Sequence, residues 1–257
     1  MNFLELLNKP ALIAAHRGAN SLAPENTLSA LKESILRADF IEIDVQLSKD
    51  GVAIIMHDET LLRTTNVSKI AEFDSKKPYR VSDFTFDELK RLDYGSWFYK
   101  EKVQVEPLLT LHVALMFIKE NNLFLNVEIK DISSSFSDEE VVERIVKEIK
   151  DAQCSDRILI SSFRHEYLKM IKTKLYIPTA ALVEDSHPKE LLSYLREFRV
   201  DGYCLNDELV DEKSVEMLRN AGFFVGVYTV NSALRSHQLF EIGVNFIFSD
   251  SLYKEKV

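Results

Sequence analysis

Short apolar, β-branched runs recur along this chain at intervals filled by stretches of helical period, and that alternation restricts the fold more than any other feature. Strands are expected at 11–15, 40–47, 123–129, 157–161, 179–183, 202–205, 223–229 and 245–248. Helices are expected between them at 25–37, 111–120, 138–150, 165–174, 189–198, 211–220 and 231–241. In the first of these helices Leu28, Leu31, Ile35 and Leu36 form one apolar stripe. Parallel neighbours need a crossover long enough to hold a helix, so this order implies a parallel sheet. Eight such units close into an α/β, TIM-type (β/α)8 barrel, whose usual length of about 250 residues suits a chain of 257.

The alternation breaks once, between His57 and Leu111. Residues 52–56 form an extra strand or extend the second. The remainder, with Phe84, Phe86, Tyr94, Trp97, Phe98 and Tyr99, is too long for a βα loop and too aromatic for a linker. It is expected to be an inserted subdomain after the second strand, over about 58–110, with the aromatic residues as its own core and the barrel mouth beneath it. No repeat or low-complexity linker divides the chain, so residues 1–257 are expected to form a single barrel domain.

Composition excludes several classes of function. A formal charge of −9 leaves no electrostatic footprint for nucleic acid. No apolar run is long enough for a transmembrane segment, and the first seven residues carry an acid and no basic leader, so a cytoplasmic protein is expected. Cys154 and Cys204 fit neither a disulfide framework nor a zinc site and are expected to be buried as small apolar residues. Small molecules and hydrated cations remain as partners; the oligomeric state is open.

Four stretches at or just past expected strand ends carry the chemistry: His16-Arg17-Gly18, Glu42-Ile43-Asp44, His57-Asp58 and Glu128-Ile129-Lys130. Barrel sites occupy that face. Alternate residues of a strand share a face, so Glu42 and Asp44 project together while Ile41, Ile43 and Val45 turn away. Paired carboxylates repel unless a cation lies between them, and Glu128 on the neighbouring strand makes a metal a better account than salt bridges to Arg17 or Lys130. Two histidines beside such an ion suit hydrolysis of a phosphate ester, in which one group takes a proton and another delivers one. His112, His165, His187 and His237 lack that setting and read as structural. Pro24-Glu25-Asn26-Thr27 reads as a helix start with no direct chemistry, and Arg63-Thr64-Thr65 as an anchor for the insertion. Ser161, Ser162, Phe163, Asn206, Asn231 and Asp250 are expected to line the pocket rather than react.

These motifs are joined in order by Pro24-Glu25-Asn26-Thr27, Asp50-Gly51, Arg63-Thr64-Thr65, Ser162-Phe163, Thr229-Val230-Asn231 and Gly243-Val244 through Ser249-Asp250. Together they make the chain resemble the glycerophosphodiester phosphodiesterase family over nearly its full length. The resemblance implies a metal-dependent hydrolase that releases glycerol 3-phosphate and an alcohol from a glycerophosphodiester. By position it makes Glu42, Asp44 and Glu128 the ligands of one divalent cation (Ca²⁺, Mg²⁺ or Mn²⁺), His16 and His57 the catalytic base and acid, and Arg17 and Lys130 the substrate phosphate contacts. The chain departs from the family at Ala38, where glycine is usual; at His112 after the Pro107 run, where an acid is common; and at Tyr228, where tryptophan is frequent. All three lie outside the reacting set and bear on the head group. Two alternatives share the motifs: a lysophospholipase D-type enzyme acting on longer lipid diesters, and a non-catalytic barrel that binds glycerol phosphate.

Overall fold

The computed structural model of the chain describes residues 1–100 and 102–252. A short helix, α1 (Phe3–Leu7), precedes eight parallel strands: β1 (Leu12–Ala15), β2 (Phe40–Leu47), β4 (Leu125–Ile129), β5 (Ile158–Ser162), β6 (Thr179–Val183), β7 (Gly202–Asn206), β8 (Phe224–Tyr228) and β9 (Phe246–Ser249). Each pairs with the next and β1 pairs with both β2 and β9, so the sheet closes into a TIM barrel. Outside it run α2 (Leu28–Ser34), α4 (Leu111–Glu120), α5 (Asp138–Ala152), α6 (His165–Lys174), α7 (Leu191–Glu197), α8 (Glu212–Asn220) and α9 (Ala233–Glu241). Side-chain caps start many of these helices: Thr27, Thr110, Asp211 and Ser232 each accept from a first-turn amide, and Ser137 forms a capping box with Glu140.

Strand alternation separates two cores. Outward residues such as Ile43, Val127 and Ile160 pack against Leu115, Ile145 and Leu168 of the helices. Inward residues at the lower end form a second cluster of Phe40, Phe124, Phe224, Phe246 and Phe248, closed from below by Phe3 of α1. Phe3 meets Phe40 edge-on at 5.2 Å and Phe124 at 5.6 Å. Fully burying each ring contributes about 1.5–3 kcal/mol. Gly202 and Gly226 make room for this packing, because a Cβ would lie 2.0 Å from the Phe224 ring at the first and 2.4 Å from the Phe246 ring at the second. The lower barrel is therefore filled, and polar inward residues are confined to the upper end.

A ninth strand, β3 (Ala53–Ile55), pairs antiparallel with the end of β2. From there to α4 the described residues form three 3₁₀ turns and a short helix, α3 (Phe86–Leu89). Phe73, Tyr79, Phe84, Leu89 and Tyr94 bury one another there, against Ile54 and Met56. Trp97, Phe98 and Tyr99 instead stack edge-to-face among themselves, half-buried and outside that core.

The first helix is shorter than its apolar stripe suggests. It begins at Leu28 because Asn26 adopts a left-handed backbone with φ of 58°, and it ends at Ser34, leaving Leu36 at φ 70° and 65% exposed. Among the described residues, no helix is long and apolar enough to cross a membrane.

Candidate active site

The inward face of β2 carries four residues at two-residue spacing, and each does something different. Phe40 belongs to the lower plug, Glu42 lines the upper cavity with Asp44 buried just behind it, and Gln46 anchors the segment that follows β3. The Gln46 amide donates to the carbonyls of Met56 (3.0 Å), His57 (3.2 Å) and Asp58 (2.7 Å). Register sets Glu42 beside Asn126 and Asp44 beside Glu128 on β4. One oxygen each from Glu42, Asp44 and Glu128 lies within 4.8 Å of the others.

Glu42 and Asp44 are each 1% exposed, yet their environments differ. Asp44 accepts from Asn26 Nδ2 at 2.8 Å and lies 3.4 Å from Arg17 Nε and 3.5 Å from Lys130 Nζ. Burial disfavours its charge, but Lys130, Arg17, His57 and the Asn26 hydrogen bond outweigh that and bring its pKa down to about 2. Glu42 Oε2 accepts from the Arg17 backbone amide at 2.7 Å, whereas among the described residues Oε1 has no hydrogen-bond partner. Burial, then the carboxylates of Asp44 and Glu128, push Glu42 well above the usual carboxylate range. Lys130 donates to Glu128 at 2.7 Å, and burial, which opposes its charge, is overcome by Asp44 and Glu128, so its pKa rises.

The turn after β1 aims the Arg17 amide at Glu42. Arg17 and Gly18 both have left-handed backbones, with φ of 55° and 77°, and a Cβ on residue 18 would lie 2.7 Å from Ala30 Cβ. Only glycine meets both demands.

Both histidines are held through Nδ1. His16 Nδ1 is 2.8 Å from Asp250 Oδ1, and Asp250 also accepts from Asn20 Nδ2 and, at 2.8 Å, from Asn231 Nδ2. His57 Nδ1 is 2.7 Å from Asp58 Oδ1. A carboxylate at Nδ1 keeps the proton there and leaves Nε2 for chemistry. Burial opposes ionisation of Asp250, yet His16, Asn20 and Asn231 hold it far below the usual range; Arg63, against a burial cost and aided by His57, does the same for Asp58. Arg63 forks onto both Asp58 and Glu25, with four contacts of 2.7–2.8 Å, and Glu25 accepts from Arg17 at 2.9 Å. A continuous chain of charges thus joins Arg17 to His57.

A cavity of about 340 Å³ is lined by His16, Arg17, Glu42, His57, Glu128 and Lys130, and across from them by Phe163, Leu182, Glu184, Asn206, Tyr228, Thr229 and Phe248. The sequence-derived residues therefore converge, Asp44 lying buried just behind the wall. Phe163 and Asn206 line the cavity as expected. Ser161 and Ser162 are instead buried, bonded to Asn126 and to the Ile129 carbonyl, and outside the lining Asn231 holds Asp250, which in turn contacts His16. His165 is a core residue, bonded to Tyr194 and to the Leu182 carbonyl.

Sequence reasoning overlooked Gln46, gave Asp58 no role, read Glu25 and Asn26 as a helix start and made Asp250 a pocket-lining residue. The 24–27 stretch was expected to open a helix, but Thr27 is the cap and Pro24, Glu25 and Asn26 precede it. The charge of Glu25 faces Arg17 and Arg63, not a helix end. Gln46 was visible as the next inward position after Asp44.

Comparison with known proteins agrees with this geometry. The model of the glycerophosphoryl diester phosphodiesterase family matches residues 16–254. A glycerophosphodiester phosphodiesterase of Bacillus altitudinis is 33% identical over 243 residues, covering 93% of this chain and 94% of its own. One from Caldanaerobacter subterraneus is 32% identical over 249 residues, covering 93% of each. The structure of an Oleispira antarctica phosphodiesterase in complex with its product sn-glycerol-3-phosphate superposes with a TM-score of 0.83 at 30% identity, over 94% of this chain and 93% of that one. With the family model spanning nearly the whole chain and relatives of this similarity along its length, the chain belongs to the glycerophosphoryl diester phosphodiesterase family and is a phosphoric diester hydrolase.

Proposed function

We propose that this chain, acting as one domain, hydrolyses glycerophosphodiesters to glycerol 3-phosphate and an alcohol, with a divalent cation held by Glu42, Asp44 and Glu128 and with His16 and His57 moving the protons. The observation that carries this reading is Glu42 Oε1, a buried carboxylate oxygen without a partner among the described residues, facing two further carboxylates. An unpaired buried charge costs several kcal/mol, so the arrangement fits a bound cation. An all-oxygen donor set suits Ca²⁺, Mg²⁺ or Mn²⁺. When bound, the ion supplies positive charge to a non-bridging phosphate oxygen.

The protein's own groups do the rest. Arg17 and Lys130 line the cavity beside the carboxylates and neutralise charge that builds on the phosphoryl oxygens. Nε2 of His16 takes the proton of the attacking water as the new O–P bond forms, or first that of the substrate 2-hydroxyl, in which case water then opens the cyclic phosphate. Nε2 of His57 gives its proton to the leaving alkoxide as the old P–O bond breaks. Asp250 and Asp58 stabilise whichever imidazole is charged, and Gln46 holds the His57 backbone.

The test is release of glycerol 3-phosphate from glycerophosphocholine, followed by a coupled assay. Chelator is expected to abolish release and added Ca²⁺, Mg²⁺ or Mn²⁺ to restore it. No product with any of these ions would instead favour a glycerol-phosphate-binding barrel, and turnover of long-chain lysolipids alone a lysophospholipase D-type enzyme.

A further inference from the structure

A second cavity of about 330 Å³ opens beside the first, and the two have His57 and Lys130 in common. Besides Gln46 and Leu47 at the end of β2, its walls come from two segments far apart in sequence. Glu59 and Ser82 belong to the stretch after β3, and Asp131, Ser134, Ser135 and Phe136 to the loop after β4. Ser135 Oγ donates to Ser82 Oγ at 3.1 Å, so the two walls are joined over the cavity. His16 lines the first cavity and not the second.

A phosphodiester carries two organic arms that leave phosphorus in different directions. The group that protonates the leaving oxygen must lie within hydrogen-bond reach of it. His57 is that group in the function proposed above, on which this inference rests, and it stands on the wall shared by the two cavities. The leaving oxygen then sits at their junction, with the phosphoryl group beside Lys130. The glycerol arm keeps the first cavity, where His16 and the three carboxylates are. We propose that the second cavity receives the leaving alcohol. Its size and joined walls admit a compact alcohol. Glu59 on its rim is paired with Arg80 at 3.1 Å and Lys130 with Glu128, which leaves Asp131 as the acidic group that favours a neutral or cationic alcohol over an anionic one.

Filling the second cavity separates this arrangement from one in which the alcohol projects into solvent. Ser135→Trp and, from the opposite wall, Ser82→Trp are compared with wild type on two substrates: glycerophosphocholine and the methyl ester of glycerol 3-phosphate, whose leaving arm is a single carbon. The ratio of kcat/KM for the choline diester to that for the methyl diester is expected to fall at least about tenfold in either variant. Competitive inhibition by glycerol 3-phosphate, which has no leaving arm, reports that the site remains folded and is expected to change far less. Parallel losses on both diesters, or an unchanged ratio, would overturn the subsite and leave the hydrolase reading intact. A wild-type protein that releases glycerol 3-phosphate from neither diester overturns both.

Discussion

Asp250, just past the last strand, lies 2.8 Å from His16, just past the first, so one contact joins residues 234 positions apart across the seam of the barrel. Asp250→Asn keeps the shape but removes the charge and turns one of two acceptor oxygens into an NH₂, although His16 and Asn20 meet Oδ1 and Asn231 donates to Oδ2. In either amide orientation the carboxylate that stabilises a protonated imidazole is lost, and an NH₂ turned to His16 would in addition shift the imidazole proton to Nε2. We expect kcat to fall roughly a hundredfold or more with KM little changed, as measured by steady-state release of glycerol 3-phosphate. Wild-type kcat in this variant would remove Asp250 from the mechanism.

Gln46→Leu preserves volume while leaving three carbonyls without their shared donor. Leaving such buried groups unpaired costs about 1–3 kcal/mol, read as a lower urea midpoint. The loosened His57 backbone should also reduce kcat by about tenfold while inhibition by glycerol 3-phosphate persists. A stable protein with full kcat would show that this amide does not position His57.

Glu42→Gln removes the charge of the carboxylate whose second oxygen is unpartnered. Titration calorimetry with Ca²⁺ or Mg²⁺ should show at least about a hundredfold weaker binding, on the order of 3 kcal/mol. In chelator the same variant should be at least as stable as wild type, since it no longer buries three carboxylates together. Unchanged cation affinity would break the ligand assignment.

His165 titrates apart from the active site. Burial lowers its pKa below 6.5, outweighing the Leu182 carbonyl and Glu166, which act to raise it. The folded state therefore binds this proton less readily than the unfolded chain. Its contribution to stability is complete above the unfolded value and declines as pH falls from about 6.5 toward the lower folded value, by at most about 1.4 kcal/mol per pH unit. Urea unfolding across that window should be less pH-dependent in His165→Gln than in wild type, and equal slopes would contradict the assignment.

Local rules made much of the molecule readable in advance. The span of β2, the shared face of Glu42 and Asp44, and the placing of His16, His57, Glu128 and Lys130 near strand ends all follow from period-two alternation and barrel topology. What escaped depends on approach across the fold. Nothing near Asp250 in sequence announces His16, and nothing near Arg63 announces Glu25, 38 residues away. Local rules misread Pro24-Glu25-Asn26 for the same reason: the partner that pulls Asn26 out of helical geometry is Asp44, on another strand.

The seam pairing of β1 with β9 has a temporal side. Residues are made in order, so His16 emerges 234 positions before the Asp250 that meets it. A nascent polypeptide still lacking β9 holds all three residues of the acidic cluster but neither a closed wall nor the Asp250 contact of His16. Turnover is therefore expected only once β9 has joined β1, and its onset during translation would report closure of the barrel.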